Sequence, residues 1–329
     1  MHRRALKYRR LMLQLLFPVL KQLPADAAAR MVSRIGEIEY SLVPTLRHRF
    51  QETLNRAADH LDASWDANLV GRQLAGNQVR WRARDLLVDG RSEADFERVV
   101  RVDGAEHLQN AHALNKGVIL LGNHFGAHLM PAHWAARKGY PLRLFMERPH
   151  HVSRILSREF DTVGPLGQKE LFISRRSDPA DSARSVLRAA RVLKSGYVIF
   201  IAGDVRWNDK HTASVEFLGR PCRISTTWVT LAALSGAAVV PTFCHMDVNG
   251  THELSFLPAF HVASKAMAQG LAEPLVRNFL AEIERRIKID PANSNDYLFW
   301  SERDDPAYAK QRLTDVPLTA PPQRGRSAA

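Results

Sequence analysis

The sequence predicts an α/β fold: a mixed, largely parallel sheet with helices on both faces, preceded by an N-terminal helical region. From Lys116 onward, short and fully apolar runs alternate with helix-like stretches, which is typical of parallel strands buried between layers of helices. Before Lys116, apolar residues recur at helical spacing among many charged residues, as in SWDANLVGRQLAGNQVRWRARDLL. A chain of 329 residues with 45% hydrophobic residues is long enough to bury a sizeable core as one large or two small domains.

Residues 1–24 form the first distinctive segment. They contain no acidic residue, and the basic residues among them are Arg3, Arg4, Lys7, Arg9, Arg10 and Lys21. The apolar run from Leu11 to Leu20 is about half as long as a bilayer-spanning helix, and Pro18 interrupts it. We predict a basic amphipathic segment lying on an anionic membrane surface. The alternative is a core helix with a solvated basic face.

The rest of the chain divides by composition. Residues 25–115 are predicted to be a helical region, and residues 116–305 an α/β catalytic core. Residues 306–329, rich in Pro, Arg and Ala, are predicted to be a disordered tail.

Within the core, apolar runs and turn signals predict each element in order. The predicted strands are residues 117–124, 141–149, 170–174, 197–204, 238–246 and, as an edge strand, 252–260. The predicted helices are residues 126–139, 151–164, 178–196, 225–236 and 271–289. The third of these has Asp178 as a plausible N-cap, Pro179 in its first turn and Gly196 past its end.

The composition limits the partners. Lys and Arg exceed Asp and Glu by 46 to 34, a net charge of +12, which favours an anionic partner. No RNA-binding aromatic motif, zinc finger or recognition-helix pattern is present, so we expect no nucleic acid partner. Cys222 and Cys244 form no CxxC pair and suggest no disulfide framework.

The motif GNHFGAHLMP carries the clearest chemical signal. Ligands bind at the carboxyl ends of strands in such sheets, and His124 and Asp204 both follow apolar strands. Histidine is the usual general base because its ordinary pKa is about 6.5. From these residues alone, His124 could equally cap a helix or pack in the core, and Asp204 could be a helix or turn cap.

Five blocks in a fixed order resemble one protein family. They are GVILLGNHFGAH, LFMERPHHVSRIL, VLKSGYVIFIAGDVRW, VEFLGRPCRISTTWVTLAALSGAAVVPTF and NDYLFWSERDD. Together they are similar to the lipid A biosynthesis acyltransferases, which belong to the wider lysophospholipid and glycerolipid acyltransferase superfamily. The resemblance covers roughly residues 5–305, and its specificity lies in the order and spacing of the blocks.

The resemblance implies an acyltransferase at the cytoplasmic face of the bacterial inner membrane. Its members move a fatty acyl chain from an acyl-carrier-protein or coenzyme A thioester to a hydroxyl (or amine) of a lipid acceptor such as a lipid A precursor. A histidine, here His124, acts as general base, and a carboxylate five residues later orients it. No metal or organic cofactor is implied.

The sequence departs from this pattern at one position, because the fifth residue after His124 is Leu129. Glu147, Asp204 and His128 are candidates to replace the missing carboxylate, and the sequence does not rank them.

The remaining candidate site residues are proposed to bind substrate. Arg148 is a candidate clamp for a phosphate or carboxylate. Asn123 and His128 lie in the histidine motif. Arg175 and Arg176 fall, by a loose alignment, near a family position where an arginine stabilises charge.

Two other functions stay open. Leu129 favours a catalytically degenerate family member that binds lipid without acylating it. Alternatively, His124 and His128 could be an i, i+4 metal pair of a hydrolase, with Glu147 or Asp204 as third ligand. No HExxH motif supports the hydrolase, and 14 histidines make chance spacings common.

Overall fold

The computed structural model has the predicted fold class, an α/β architecture with a largely parallel sheet and helices toward the N-terminus. It describes residues 15–83, 87–88, 90–148, 158, 161–162, 164–173, 179–207 and 211–300. Two sequence predictions therefore lie wholly or largely outside the described residues: the tail at 306–329 and the helix at 151–164.

Six strands form the main sheet in the order β1-β8-β7-β2-β4-β3. These strands are β1 Val100–Asp103, β2 Val118–Gly122, β3 Leu142–Leu144, β4 Val198–Ala202, β7 Ala238–Met246 and β8 His252–Phe256. Neighbouring strands are parallel except for the antiparallel pair β7 and β8. A separate antiparallel hairpin contains β5 Thr212–Phe217 and β6 Arg220–Ser225.

Helices precede the sheet and cover it. They are α1 Ala25–Leu42, α2 Pro44–Leu61, α3 Ala67–Arg82, α4 Glu93–Val99, α5 Ala105–Ala113, α6 Met130–Arg137, α7 Pro179–Lys194, α8 Thr227–Ser235 and α9 Ala272–Ile289. Three single 3₁₀ turns lie at Lys169–Leu171, Pro291–Asn293 and Tyr297–Phe299.

The central strands are buried on both faces. Along β2, Ile119 and Leu121 enter one apolar cluster, whereas Val118 and Leu120 enter a second cluster on the other side. This alternation follows from the two-residue period of a strand. A strand enclosed in this way can present polar groups only at its ends. Reactive side chains on these central strands are therefore expected at the strand ends.

Three parts of the fold differ from the sequence prediction. Strand β1 lies within the region predicted to be helical and pairs in parallel with β8, so β8 is an interior strand and not the edge. The β5–β6 hairpin was not predicted. Residues 169–171 form a 3₁₀ turn where a strand was expected, with a single bridge from Phe172 to Leu144. Strand β1 is short and pairs with a strand about 150 residues away, so no local pattern records it.

The end of the predicted membrane segment is part of the fold. Residues 15–22 are helical, and Leu20 is 1% exposed in a cluster with residues of α1 and α3. The guanidinium of Arg91 donates to the carbonyl oxygens of Leu20 and Leu23, both at 2.8 Å. Residues 1–14 lie outside the described part of the chain. Within the described residues, no helix has the length and apolar character needed to cross a membrane.

Candidate active site

The sheet register brings His124 and Asp204 together. Strands β2 and β4 are parallel neighbours, and Gly122 lies opposite Ala202. The amide of Gly203 continues the ladder by donating to the carbonyl oxygen of Gly122 at 2.8 Å. Residues 124 and 204 lie two positions further along their strands and therefore face each other at the carboxyl edge of the sheet.

Asp204 holds both the ring and the backbone of His124. Nδ1 of His124 lies 3.0 Å from each carboxylate oxygen of Asp204, and the backbone N–H of His124 donates to Oδ2 at 2.8 Å. The Asp204 side chain is fully buried, whereas 39% of the His124 side chain is exposed. A buried carboxylate thus fixes a histidine that remains accessible.

Tyr297 completes the environment of this carboxylate. Its hydroxyl donates to Oδ2 of Asp204, and the backbone N–H of His124 also reaches the Tyr297 oxygen at 2.8 Å. Burial alone would raise the pKa of Asp204, but the charge of His124 and the hydrogen bonds from His124 and Tyr297 outweigh it and lower the pKa. Burial and the neighbouring Asp204 raise the pKa of Tyr297 well above its ordinary value. At neutral pH the site therefore contains an ionised Asp204 and a protonated Tyr297.

The segment after α9 clamps the loop that carries His124. Nδ2 of Asn295 donates to the carbonyl oxygens of His124 and Gly126, both at 2.7 Å. The amide of Gly126 donates to the carbonyl oxygen of Asn293 at 2.8 Å. Gly126 has a φ of +56°, and a Cβ there would lie 1.9 Å from the carbonyl oxygen of Cys244, so only glycine fits. Asn293 and Asn295 thereby fix the backbone of the loop that contains His124.

His128 stacks against His124 and is itself fixed by Trp81. The two imidazole rings lie 5.1 Å apart at 29°, and Nε1 of Trp81 donates to Nδ1 of His128 at 2.7 Å. Because the indole nitrogen can only donate, Nδ1 of His128 must be unprotonated and the proton of the neutral ring lies on Nε2. Because Nε2 of neutral His128 carries the proton and its Nδ1 accepts from Trp81, this ring has no free lone pair for a metal, which argues against His124 and His128 as a metal pair. Among the described residues there is no group of three or more side chains that could hold a metal ion.

The other candidates either follow β3 or lie outside the described residues. Glu147 follows β3 with an exposed side chain. Arg148 is half-buried, donates to the carbonyl oxygen of Gly167 at 2.7 Å and forms an ion pair with Asp161. Arg175 and Arg176 lie outside the described residues. The site therefore has Asp204, not Glu147, as the carboxylate hydrogen-bonded to His124.

Asn123 has a scaffold position. Its side chain is buried, with Nδ2 donating to the carbonyl oxygen of Thr242 at 2.8 Å and Oδ1 accepting from the amide of Phe125 at 2.9 Å. These contacts shape the turn into the histidine loop. The predicted role of Asn123 in substrate binding stays a prediction.

Leu129 lies in the hydrophobic core, whereas the family pattern has a carboxylate at this position that contacts the histidine ring. It is 1% exposed and belongs to the apolar cluster that contains Leu120 and Met130. The position where the resemblance requires a carboxylate is, in this chain, part of the hydrophobic core.

Sequence reasoning missed Tyr297, Asn295 and Trp81 as members of the site. Tyr297 lies 173 residues from His124 along the chain, and Trp81 lies 47 residues from His128. Tyr297 stood in a recognised aromatic block, but neither periodicity nor spacing signals that its hydroxyl reaches Asp204.

Fold and site together define an α/β protein with a carboxylate-held histidine at the carboxyl edge of its sheet. The family model described as "Bacterial lipid A biosynthesis acyltransferase" matches residues 2–299, nearly the whole chain. The chain belongs to this family. Among individually curated proteins, none matches it significantly.

Proposed function

We propose that this protein transfers a fatty acyl chain from an acyl-carrier-protein or coenzyme A thioester to a hydroxyl or amine of a lipid acceptor, such as a lipid A precursor. The observation that carries the proposal is the contact between Nδ1 of His124 and the buried carboxylate of Asp204. Membership of the family supplies the reaction class.

The contact supports a general-base role for His124. The ionised Asp204 accepts a hydrogen bond from Nδ1–H, so the neutral imidazole keeps its lone pair on Nε2. Nε2 takes the proton of the acceptor hydroxyl while the oxygen attacks the thioester carbonyl. The carbon–sulfur bond then breaks, the ester forms, and the imidazolium returns its proton to the leaving thiolate. The charge of Asp204 stabilises the imidazolium between these steps.

Asp204 takes the role that the family pattern gives to the residue five positions after the histidine. In the serine-protease triad, loss of the orienting carboxylate costs about 10⁴ in rate, so a histidine without one would be a poor catalyst. Here the carboxylate comes from the neighbouring strand, and Leu129 is free to fill the core. Leucine at position 129 is therefore compatible with acyl transfer. The same leucine was the main support for the alternative, a degenerate family member that binds lipid without acylating it.

We further propose that the protein works at the cytoplasmic face of the bacterial inner membrane as a peripheral or monotopic protein. The support is the net charge of +12 and the acid-free basic segment at residues 1–24. Arg148 and Arg176 stay proposed binding residues for an anionic substrate group. For Arg148, the support is a guanidinium already oriented by the carbonyl oxygen of Gly167.

The experiment is an acyl-transfer assay on the full-length chain. Labelled acyl-carrier-protein and coenzyme A thioesters are offered with a phosphorylated glycolipid acceptor, and the acylated product is measured. We expect turnover by the wild type, a fall of about 10²–10⁴ for His124→Ala, and no change for His48→Ala, an exposed histidine on α2. Transfer by His124→Ala at the wild-type rate would refute the mechanism. Absence of transfer by the wild type with every donor would favour the degenerate binder.

A further inference from the structure

We propose that a groove beside the candidate active site binds a phosphate group of one of the substrates. The groove, called here the hairpin groove, lies between α2, the β5–β6 hairpin and residues 297–300 and has a cavity volume of about 180 Å³. Its basic residues are Arg56, His60, Arg206 and Arg220, and Tyr297 and Trp300 lie in its wall. The inference rests on the proposed function, because it assigns a substrate group to a place next to that site.

The charge of the groove favours an anion. Three arginines and a histidine converge on it, and none of the lining residues that the structure describes is Asp or Glu. Within the described part of the chain, Arg56 and Arg220 form no ion pair, and Arg56 donates only a long 3.4 Å bond to the carbonyl oxygen of Glu52. Some surface arginines elsewhere form ion pairs with carboxylates, as Arg277 does with Glu273. The guanidinium groups of Arg56 and Arg220 suit a phosphate, which accepts bidentate hydrogen bonds from arginine.

The groove is also preorganised. The guanidinium of Arg206 stacks on the ring of Trp300 at 4.7 Å and donates to the Trp300 carbonyl oxygen at 3.3 Å. This contact limits the conformations of an otherwise flexible side chain and lowers the entropy lost on binding.

The turn of the hairpin adds a second constraint. Leu218 and Gly219 have φ angles of 51° and 71°, so a leucine occupies the left-handed conformation that favours Gly or Asn. The backbone N–H of Leu218 donates to Oε1 of Glu284 on α9 at 2.5 Å, which anchors the turn. The turn sets the place of Arg220, the first residue of β6, in the wall of the groove.

Tyr297 joins the groove to the catalytic pair. Tyr297 lines the groove, and its hydroxyl is hydrogen-bonded to Asp204. One residue therefore connects a phosphate held in the groove with the His124–Asp204 pair. Both substrates of the proposed reaction can supply this chemistry, since the donor thioester is carried on phosphopantetheine and a lipid A precursor is a phosphorylated glycolipid.

The test measures binding, which does not depend on turnover. Full-length wild type, Arg56→Gln, Arg220→Gln and the double variant are titrated calorimetrically with pyrophosphate, with free coenzyme A, and with a phosphorylated glycolipid in neutral detergent micelles. Arg277→Gln is the control because it removes one exposed arginine of α9 outside the groove. We expect each groove variant to raise the Kd for the phosphate ligand about ten-fold. The Kd of the control variant should equal that of the wild type.

The outcomes separate the sources and the proposals. Weaker binding of coenzyme A in the groove variants assigns the groove to the donor, and weaker binding of the glycolipid alone assigns it to the acceptor. Wild-type affinity of all three groove variants for every probe, or an equal loss in Arg277→Gln, would overturn the inference. His124→Ala should bind the probes as the wild type does, so failure of acyl transfer and failure of phosphate binding are distinguishable.

Discussion

Restoring a carboxylate at position 129 should destabilise the fold and not activate the site. Leu129 is 1% exposed in an apolar cluster, so a glutamic acid there must stay protonated to remain buried. Keeping a group with an ordinary pKa of about 4.3 protonated at pH 7 costs about 3.7 kcal/mol. An unpartnered carboxyl adds about 1–3 kcal/mol. The sum, about 5–7 kcal/mol, is comparable with the whole unfolding free energy of many domains.

The penalty depends on pH in a way that identifies its cause. A buried glutamic acid with a raised pKa is least harmful at low pH, and its cost grows as pH rises above the unfolded value. The ionisation part of the cost is about 1 kcal/mol at pH 5 and up to about 5 kcal/mol at pH 8. Urea unfolding of Leu129→Glu at both pH values measures it. Leu129→Gln, which has the same shape without the charge, should show a loss that does not vary with pH. A Leu129→Glu variant as stable as Leu129→Gln at pH 8, or more active than the wild type, would refute the reasoning.

Three further predictions concern the surroundings of the site and the membrane segment. Tyr297→Phe should lower kcat about ten-fold with little change in KM, because Asp204 loses its O–H donor; steady-state kinetics with an unchanged kcat would contradict this. Burial lowers the pKa of His245, but the hydrogen bond and charge of Asp290 and other carboxylates outweigh it and raise the pKa above 6.5. The stability that protonated His245 contributes is therefore complete below pH 6.5 and is lost as pH rises through the folded pKa. The Tm difference between wild type and His245→Gln should shrink above pH 6.5. A Tm difference that stays constant with pH would contradict this. Deleting residues 1–14 should release the protein from anionic vesicles in cosedimentation, since each basic residue near such a surface is worth about 1 kcal/mol; unchanged sedimentation would argue against the membrane segment.

The deletion is limited to residues 1–14 for a structural reason. Leu20 is buried, and Arg91 holds the carbonyl oxygens of Leu20 and Leu23. Removing residues 1–24 would therefore damage the fold. Release from membranes would then reflect unfolding and not the loss of the basic residues.

The sheet could be predicted from sequence where burial is strongest. A strand enclosed on both faces must be apolar throughout, and the run at residues 238–246 matches the bounds of β7. Strand β1, with the sequence VRVD, has one buried residue out of four and looks no different from the end of a helix. Its partner β8 lies about 150 residues away, so no local pattern records the pairing.

The site could be predicted only in part for the same reason. A histidine and an aspartate after apolar strands were recognisable as candidates, but their contact depends on which strands are neighbours and in what register. Glu147 follows another strand with the same local pattern, and only the sheet order distinguishes it from Asp204. Tyr297 and Asn295 lie in a recognised sequence block, but they reach the site through the packing of the segment after the last helix, and no local pattern records which groups they contact.

The central claim is that His124 and Asp204 act as one catalytic unit, and a double-mutant cycle on kcat tests it most directly. His124→Ala, Asp204→Asn and the double variant are assayed with one thioester donor, with thermal unfolding as a check that Asp204→Asn folds. We predict that His124→Ala lowers kcat about 10²–10⁴-fold, that Asp204→Asn falls nearly as far, and that the double variant is within about three-fold of His124→Ala. Losses that multiply in the double variant, or an Asp204→Asn protein that folds and keeps wild-type kcat, would contradict the account.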